Sequence, residues 1–280
     1  MGTRKLILLD IDGPLTAAGA AIPPESAQEA LKAARAKGHG VYICTGRNPG
    51  MTKAVLEAGA AGGYGFDGAI CCAGGYVTCG GEVLYDHPLS PQDQAALVSA
   101  LRESGVVTVL EARDAAYADG DLEGFVRRAG PGNSEVQRWS TAIQDRLGVL
   151  PIEQYKGEPI YKATFACLDV HQVDGAREAL GNRFSCRIHR LFDQLVNGEF
   201  ISRAFDKGRA VQMVCEHLGV PVEDTVGFGD SMNDWELIET AGVGVCMGNG
   251  SPELQVKADL VCPSVSEGGV AWTLRKLGLV

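Results

Sequence analysis

The sequence predicts an α/β protein: a doubly wound, mostly parallel sheet interrupted by an inserted α+β domain. Two observations carry this reading. Short apolar runs alternate with helical stretches from residue 5 to about 85 and again from 207 to the end, but not between. The first run, Leu6 to Leu9, is unbroken, as a strand buried on both faces of a parallel sheet requires.

The elements follow in order. After Leu6–Leu9, residues 24–37 read as a helix with Ala27, Ala30, Leu31 and Ala34 on one face and Gly38 closing it. Val41–Cys44 is a strand, Met51–Ala58 a helix and Ala69–Cys72 a third strand. Tyr76–Thr78 and Glu82–Tyr85 form a hairpin through Cys79-Gly80-Gly81. The inserted domain spans 86–190, leaving 1–85 and 191–280 as the core. Within it, helices are expected at 91–103, near 121–128, near 141–147 and at 172–180. Strands are expected at 106–110, 160–167 and 184–189, and the polar, Gly-rich stretch 112–134 is expected to be mobile. The first rhythm then returns: helices at 207–218, 232–239, 252–257 and 270–277, and strands at 225–228, 242–246 and 260–261.

Composition narrows the function. With 280 residues and 45% hydrophobic content the chain can bury a full core, in one large domain or two smaller ones. A net charge of −10 argues against nucleic acid as a main partner, because a phosphate backbone demands a basic face, but leaves room for a small phosphorylated substrate. No stretch approaches a membrane span, and the apolar opening stops at Asp10, too short for a secretory leader, so the expected location is cytoplasmic. Nine cysteines, without a Cys-x-x-Cys pair, read as small buried side chains in a reducing compartment; a soft-metal or redox role for Cys71, Cys72 and Cys79 is the lesser reading. Gly242, Gly244 and Gly248 lack the context of a dinucleotide fingerprint and read as tight packing.

In an open parallel sheet, ligands bind beyond the carboxyl ends of the strands. Here those ends carry Asp10 and Asp12, then Thr45-Gly46-Arg47, then Gly229-Asp230 with Asn233 and Asp234, while Lys207 opens the first helix after the insertion. Two carboxylates at the mouth of a buried strand repel each other and lose solvation unless a cation compensates. Oxygen donors with few protein carboxylates suit Mg2+ better than Ca2+. Each residue also has a plainer reading: Asp230 and Asp234 as helix caps, Thr45-Gly46 as a turn, Lys207 as a solvated helix residue, Arg47 as a brace for its loop.

Together, Asp10-Ile-Asp12-Gly13-Pro14-Leu15, Thr45-Gly46-Arg47, Asp206-Lys207-Gly208 and Gly229-Asp230-Ser231-Met232-Asn233-Asp234 resemble the four motifs of the haloacid dehalogenase (HAD) superfamily. The whole chain is similar to its Cof-type sugar-phosphate phosphatases, which carry a type IIB cap inserted into a Rossmann-like core. The resemblance implies that Asp10 is a nucleophile forming an aspartyl-phosphate and that Asp12 is the acid and base, its backbone carbonyl binding Mg2+. It implies that Thr45 and Lys207 stabilise the transferring group, and that Gly46, Arg47 and Asn233 contact phosphate or substrate. Asp10, Asp12, Asp230 and Asp234 make up the expected metal set, with Asp230 as a ligand and Asp234 supporting its shell. Two departures stand out: Pro14 where Thr is usual, and Ala73-Gly74 where Asn-Gly is frequent.

The alternation in 184–189 puts Ser185, Arg187 and His189 on one face, where Arg187 meets either an anionic substrate or solvent. The expectation is a Mg2+-dependent phosphatase of small phosphorylated metabolites, as monomer or homodimer. A phosphomutase on the same fold and a non-catalytic phosphometabolite-binding module are the alternatives.

Overall fold

The computed structural model describes residues 3–129, 149–190 and 196–280. Two compact units emerge: residues 1–47, 52–86 and 205–280 form the first, and 48–51 with 87–204 the second.

The first unit is built on an eight-stranded sheet of order β14-β13-β12-β1-β2-β3-β4-β5. Here β1 is Leu6–Leu9, β2 Gly40–Cys44, β3 Gly68–Cys71, β4 Tyr76–Cys79, β5 Glu82–Asp86, β12 Thr225–Gly229, β13 Val243–Met247 and β14 Leu260–Cys262. The six strands from β14 to β3 run parallel, and the β4–β5 hairpin closes one side antiparallel, turning through Gly80 and Gly81, both at positive φ. Every residue of β1 is fully buried, which is why its sequence does not alternate. Helices α1 (Glu25–Ala36), α2 (Pro49–Gly62), α6 (Lys207–Leu218), α7 (Trp235–Thr240), α8 (Pro252–Lys257) and α9 (Gly269–Lys276) accompany the sheet. On one face Leu6, Leu8, Tyr42 and Ile70 pack against Ala210, Val211, Val214 and Leu237. The glycine trio is tightly packed: a Cβ at Gly242 would lie 2.2 Å from the Glu223 carbonyl oxygen, and one at Gly244 2.4 Å from that of Ile238.

The second unit holds a six-stranded sheet of order β10-β11-β9-β6-β7-β8. Its strands are β6 Val107–Ala112, β7 Ala116–Asp119, β8 Val149–Pro151, β9 Ile160–Cys167, β10 Phe184–Arg190 and β11 Val196–Ser202, with helices α3 (Pro91–Ser104), α4 (Leu122–Ala129) and α5 (Asp174–Leu180). One sheet face (Leu110, Ala163, Phe165, Phe184, Phe200) forms a core with Leu97, Leu101, Ala176 and Leu180. The opposite face buries a charge cluster: Lys162 Nζ lies 2.8 Å from Glu199 Oε2 and 3.4 Å from Glu111 Oε1. In β10 the alternation holds, with Cys186 and Ile188 packed on the apolar core and Arg187 opposite Glu199.

Three strands were not foreseen, and one of them moves a boundary. Strand β11 pairs with β9 and β10, so the second unit runs to Ala204 rather than ending at residue 190. Its Asn197-Gly198 pair looks like a turn, but Gly198 sits mid-strand because a Cβ there would lie 2.5 Å from the Arg187 carbonyl oxygen. Strand β7 and helix α4 occupy much of 112–129, and β8 is only three residues long. The helix expected at 141–147 lies outside the described residues. Among the described residues no helix is long and apolar enough to cross a membrane. Among the described residues the cysteines form no disulfide; eight of the nine are buried and Cys186 partly so.

Candidate active site

Register brings the site together. Leu9 pairs with Ile43 on one side and Phe228 on the other, so β1, β2 and β12 release Asp10, Thr45 and Asp230 at one sheet edge. From β1 the chain winds outward through β2 and β3, and later returns on the opposite side through β12, β13 and β14. That reversal is the topological switch point where open α/β sheets bind ligands.

Lys207 stands at the centre, 1% exposed. Its Nζ donates to Asp10 Oδ1 at 3.0 Å and to Asp234 Oδ1 at 2.5 Å. Its place at the first position of α6 is fixed by Asp206, whose side chain caps the helix by accepting from the Arg209 N–H at 2.8 Å. The other oxygen of Asp234 accepts from the backbone N–H of Asp230 at 2.9 Å and of Ser231 at 3.3 Å. Asp234 therefore braces both Lys207 and the loop that presents Asp230. Close approach depends on glycines: a Cβ at Gly13 (φ 108°) would lie 2.1 Å from Asp230 Oδ2, and one at Gly229 2.4 Å from Asp234 Cβ.

Carboxylate oxygens of Asp10, Asp230 and Asp234 lie within 4.8 Å of one another. Three carboxylates against one buried lysine leave negative charge in excess. Burial pushes the Asp10 carboxyl up to about 7, with Asp234 and Asp12 adding to the rise against the pull of Lys207. Asp230 is raised as well, by burial and then by Asp234 and Asp10. Burial alone would lower the pKa of Lys207, yet Asp10 and Asp234 together hold it above its ordinary value. A hard-oxygen donor set with uncompensated charge suits a divalent cation such as Mg2+. The sequence reading brings Asp12 to the metal through its backbone carbonyl, and its carboxylate is not part of this group.

Asp12 instead meets Arg47. The Arg47 Nε donates to Asp12 Oδ2 at 2.8 Å and Nη2 to Oδ1 at 2.6 Å, while the Gly19 N–H donates to Oδ1 at 2.9 Å. Arg47 and Asp12 are only 7% and 9% exposed. The sequence offers Arg47 both as a phosphate contact and as a brace for its loop; here its guanidinium meets the Asp12 carboxylate. Thr45 is buried, its hydroxyl accepting from the Arg47 N–H at 3.2 Å. Gly46 lies in the bend between them. The Asn233 amide oxygen accepts from the Ser231 hydroxyl at 2.6 Å. The turn after β1 hydrogen-bonds through the N–H groups of Gly13, Leu15 and Thr16, so Pro14 fits it without loss.

One supporting feature escaped the sequence reading. Cys72 (φ 52°), Ala73 (φ 56°) and Gly74 (φ 107°) are consecutively left-handed. The Cys72 N–H donates to the Arg47 carbonyl at 2.8 Å and the Ala73 N–H to that of Thr45 at 3.1 Å. A Cβ on Gly74 would lie 2.3 Å from the Asp206 carbonyl oxygen. This turn thus abuts both the Thr45 loop and the cap of α6. Left-handed alanine costs about 1 kcal/mol, a strain that glycine or asparagine would lessen. Ala73→Gly is expected to stabilise the protein by about 0.5–1 kcal/mol, read from the denaturant midpoint; an unchanged or lower midpoint would remove the strain argument.

A family model described as haloacid dehalogenase-like hydrolase matches residues 7–274. The chain belongs to this family. YkrA of Bacillus subtilis (strain 168) is 31% identical over 99% of this chain and 98% of its own length. The 5-amino-6-(5-phospho-D-ribitylamino)uracil phosphatase YwtE of the same organism is 28% identical over 98% of each chain. A solved hypothetical protein of Geobacillus kaustophilus HTA426 shares 27% identity with a TM-score of 0.77, covering 99% of this chain and all of that one. The structure of a HAD subclass IIB sugar phosphatase, BT4131, aligns with a TM-score of 0.77 at 23% identity over 99% of this chain and all of that one, a likeness of fold.

Proposed function

We propose that the protein is a Mg2+-dependent phosphatase of small phosphorylated metabolites, acting through an aspartyl-phosphate on Asp10. The observation that carries this reading is Asp10 itself: a buried carboxylate at the switch point, held by Lys207 beside Asp230 and Asp234. Family membership and relatives named phosphatases support the reaction class.

Asp10 attacks phosphorus and the bond to the leaving oxygen breaks, with Asp12 delivering a proton to that oxygen. Water then attacks the acyl phosphate while Asp12 takes its proton, freeing phosphate and restoring Asp10. Lys207 offsets the charge of the nucleophile, and the Thr45 hydroxyl donates to the transferring group, with Gly46 and Asn233 as further phosphate contacts. Asp10, Asp230 and the Asp12 carbonyl would hold Mg2+, braced by Asp234; when bound, the ion neutralises charge on the phosphoryl oxygens.

The test is phosphate release from a panel of phosphometabolites with Mg2+ or with EDTA. Release with Mg2+ that EDTA abolishes is expected. Transfer between positions without free phosphate points to a mutase, and binding without turnover to a non-catalytic module.

A thermal experiment checks the metal independently of turnover. Asp10 and Asp230 have raised pKa values, so between about 4 and 7 the folded state binds more protons than the unfolded one. In EDTA, stability should therefore fall as pH rises through that window. Mg2+ should raise Tm more at pH 8 than at pH 5, with ~2.7 kcal/mol available at a hundred times Kd. Equal shifts at both pH values would count against ligation by these carboxylates.

A further inference from the structure

We propose that Gln255 is a positioning residue for the cation site: it holds the turn after β13 in the shape that supports the Asp230 backbone and grips the turn behind Asp12. This rests on the Mg2+-dependent reading above and concerns what keeps two of its donors in register.

The turn Gly248–Ser251 belongs to none of the four motif segments, yet it touches two of them. The Ser251 N–H donates to the Asp230 carbonyl at 2.7 Å. The Asp230 N–H donates to Asp234 Oδ2 at 2.9 Å, so Asp230 is tied at both ends of its own backbone. Asn249 reaches the other segment. Its Nδ2 donates to the Gly13 carbonyl at 3.5 Å, while its Oδ1 accepts from the Val265 N–H at 3.0 Å. Gly13 is the residue packed against Asp230, where a Cβ would lie 2.1 Å from Oδ2. One turn therefore grips, from outside the site, both the peptide that follows Asp12 and the backbone that presents the Asp230 carboxylate. The fit is close: a Cβ on Gly250 would lie 2.7 Å from Cys246 Sγ and 2.8 Å from the Asp230 carbonyl oxygen. A turn packed this tightly passes any change of shape on to Asp230.

Gln255 supplies the stiffness that this turn lacks. Gly248 and Gly250 give its backbone wide conformational freedom, and Gly248 and Asn249 are exposed. From α8, Gln255 Nε2 faces the carbonyls of Gly250 at 3.1 Å, Gly248 at 3.3 Å and Met247 at 3.4 Å. One side-chain amide thus gathers three backbone acceptors of a single turn. Ser251 fastens the far end by capping α8, its hydroxyl accepting from the Leu254 N–H at 3.3 Å. Without the Gln255 donors the turn keeps its place but not its shape, and a bound ion must then order the ligands that the turn now leaves loose.

Calorimetric titration of the whole chain with Mg2+ alone, at pH 8 and without substrate, tests this. Gln255→Met keeps the length and the helix preference of the side chain and removes both donors. Its Mg2+ Kd is expected to rise about tenfold, the low end of what losing a supporting partner costs a metal site, because Gln255 acts one hydrogen bond further out. With saturating Mg2+, kcat should return to within about threefold of the parent and KM for the phosphate ester should stay as it was. Arg35→Met is the control: it removes a hydrogen bond of 2.7 Å to Asp67 in the same unit, lowers Tm without metal, and should leave the Mg2+ Kd unchanged.

An unchanged Mg2+ Kd in Gln255→Met, or a rise that Arg35→Met reproduces, would make Gln255 a stabilising contact only and overturn the inference with the phosphatase reading intact. If Gln255→Met does not fold, Asn249→Ala, an exposed position on the same turn, must raise the Kd in the same titration or the inference falls. A parent that binds no Mg2+ overturns both readings. Mg2+ binding that Gln255→Met weakens, in a protein that releases no phosphate from any ester, upholds the inference and overturns the phosphatase reading alone.

Discussion

Asp10→Asn is expected to lower phosphate release by at least about 10⁴-fold, the scale on which loss of a covalent nucleophile is felt. The same substitution is expected to make the metal-free protein more stable. Asp10 is a carboxylate that burial has pushed up to about 7, so at pH 8 its ionised form is held at a cost, and a neutral amide of the same shape relieves it. Lys207 keeps its second partner, Asp234, at 2.5 Å. A gain on the order of 1 kcal/mol in EDTA, read by urea unfolding, should accompany the loss of turnover. Mg2+ should then stabilise the variant less than the parent. The opposite pairing, activity retained and stability lost, would mean that Asp10 is a structural anchor and that the nucleophile lies elsewhere. Stability traded against activity at one residue is the signature of a group held for chemistry.

The core was readable because its signals are local. An unbroken apolar tetrad such as Leu6–Leu9 specifies a strand buried on both faces, and the residue that follows must then sit at a sheet edge. Three such strand ends, each followed by polar residues, with Lys207 at the head of a helix, were enough to infer a common site before any pairing was known. The second unit was less readable because its signals conflict. Strand β11 contains Asn197-Gly198, which locally favours a turn, and only the crowding of Phe165 and Arg187 against Gly198 shows why glycine is there. Lys162 lies in a strand otherwise apolar or small, and its partners Glu111 and Glu199 come from strands 51 and 37 residues away. No window of sequence contains that cluster. The fate of Arg47 was hidden for the same reason: it is 35 residues from Asp12, and either phosphate or carboxylate would satisfy a guanidinium.

Where the site is concerned, the positions of the carboxylates were legible in the residues themselves, while their division of labour followed only from the family resemblance. Asp230 and Asp234 are four residues apart and look interchangeable in sequence. In the structure Asp234 is fully buried and spends both oxygens on donors, one from Lys207 and the others from the Asp230 and Ser231 backbones. Asp230 is held by its backbone and is crowded by Gly13 rather than by a cation. That asymmetry suits a ligand carboxylate supported by a second that orients it.

Lys207→Met carries the second large effect, and it falls on stability as much as on rate. The methionine matches the lysine stem but removes the ammonium that faces Asp10 and Asp234. Breaking a buried pair by deleting one partner costs about 3–5 kcal/mol, because the charge left behind is desolvated and uncompensated. Here two carboxylates lose their cation at once, with the raised carboxyl of Asp230 coupled to both. At pH 8 in EDTA the variant should therefore be destabilised by at least about 3 kcal/mol. Lowering the pH to about 5 should return part of that loss, since protonating Asp10 then relieves the repulsion. Mg2+ should return part of it at pH 8 by supplying the missing positive charge. Turnover should stay down by about 10²–10³-fold even when the metal has restored the fold, because the ion cannot also place an ammonium beside the nucleophile. A variant as stable as the parent in EDTA at pH 8 would show that the three carboxylates are not ionised together, and the charge argument for the metal would fail with it. Recovery of stability with Mg2+ but not of rate separates the two tasks of Lys207: compensating buried charge in the resting protein, and neutralising the phosphoryl group as the bond to Asp10 forms.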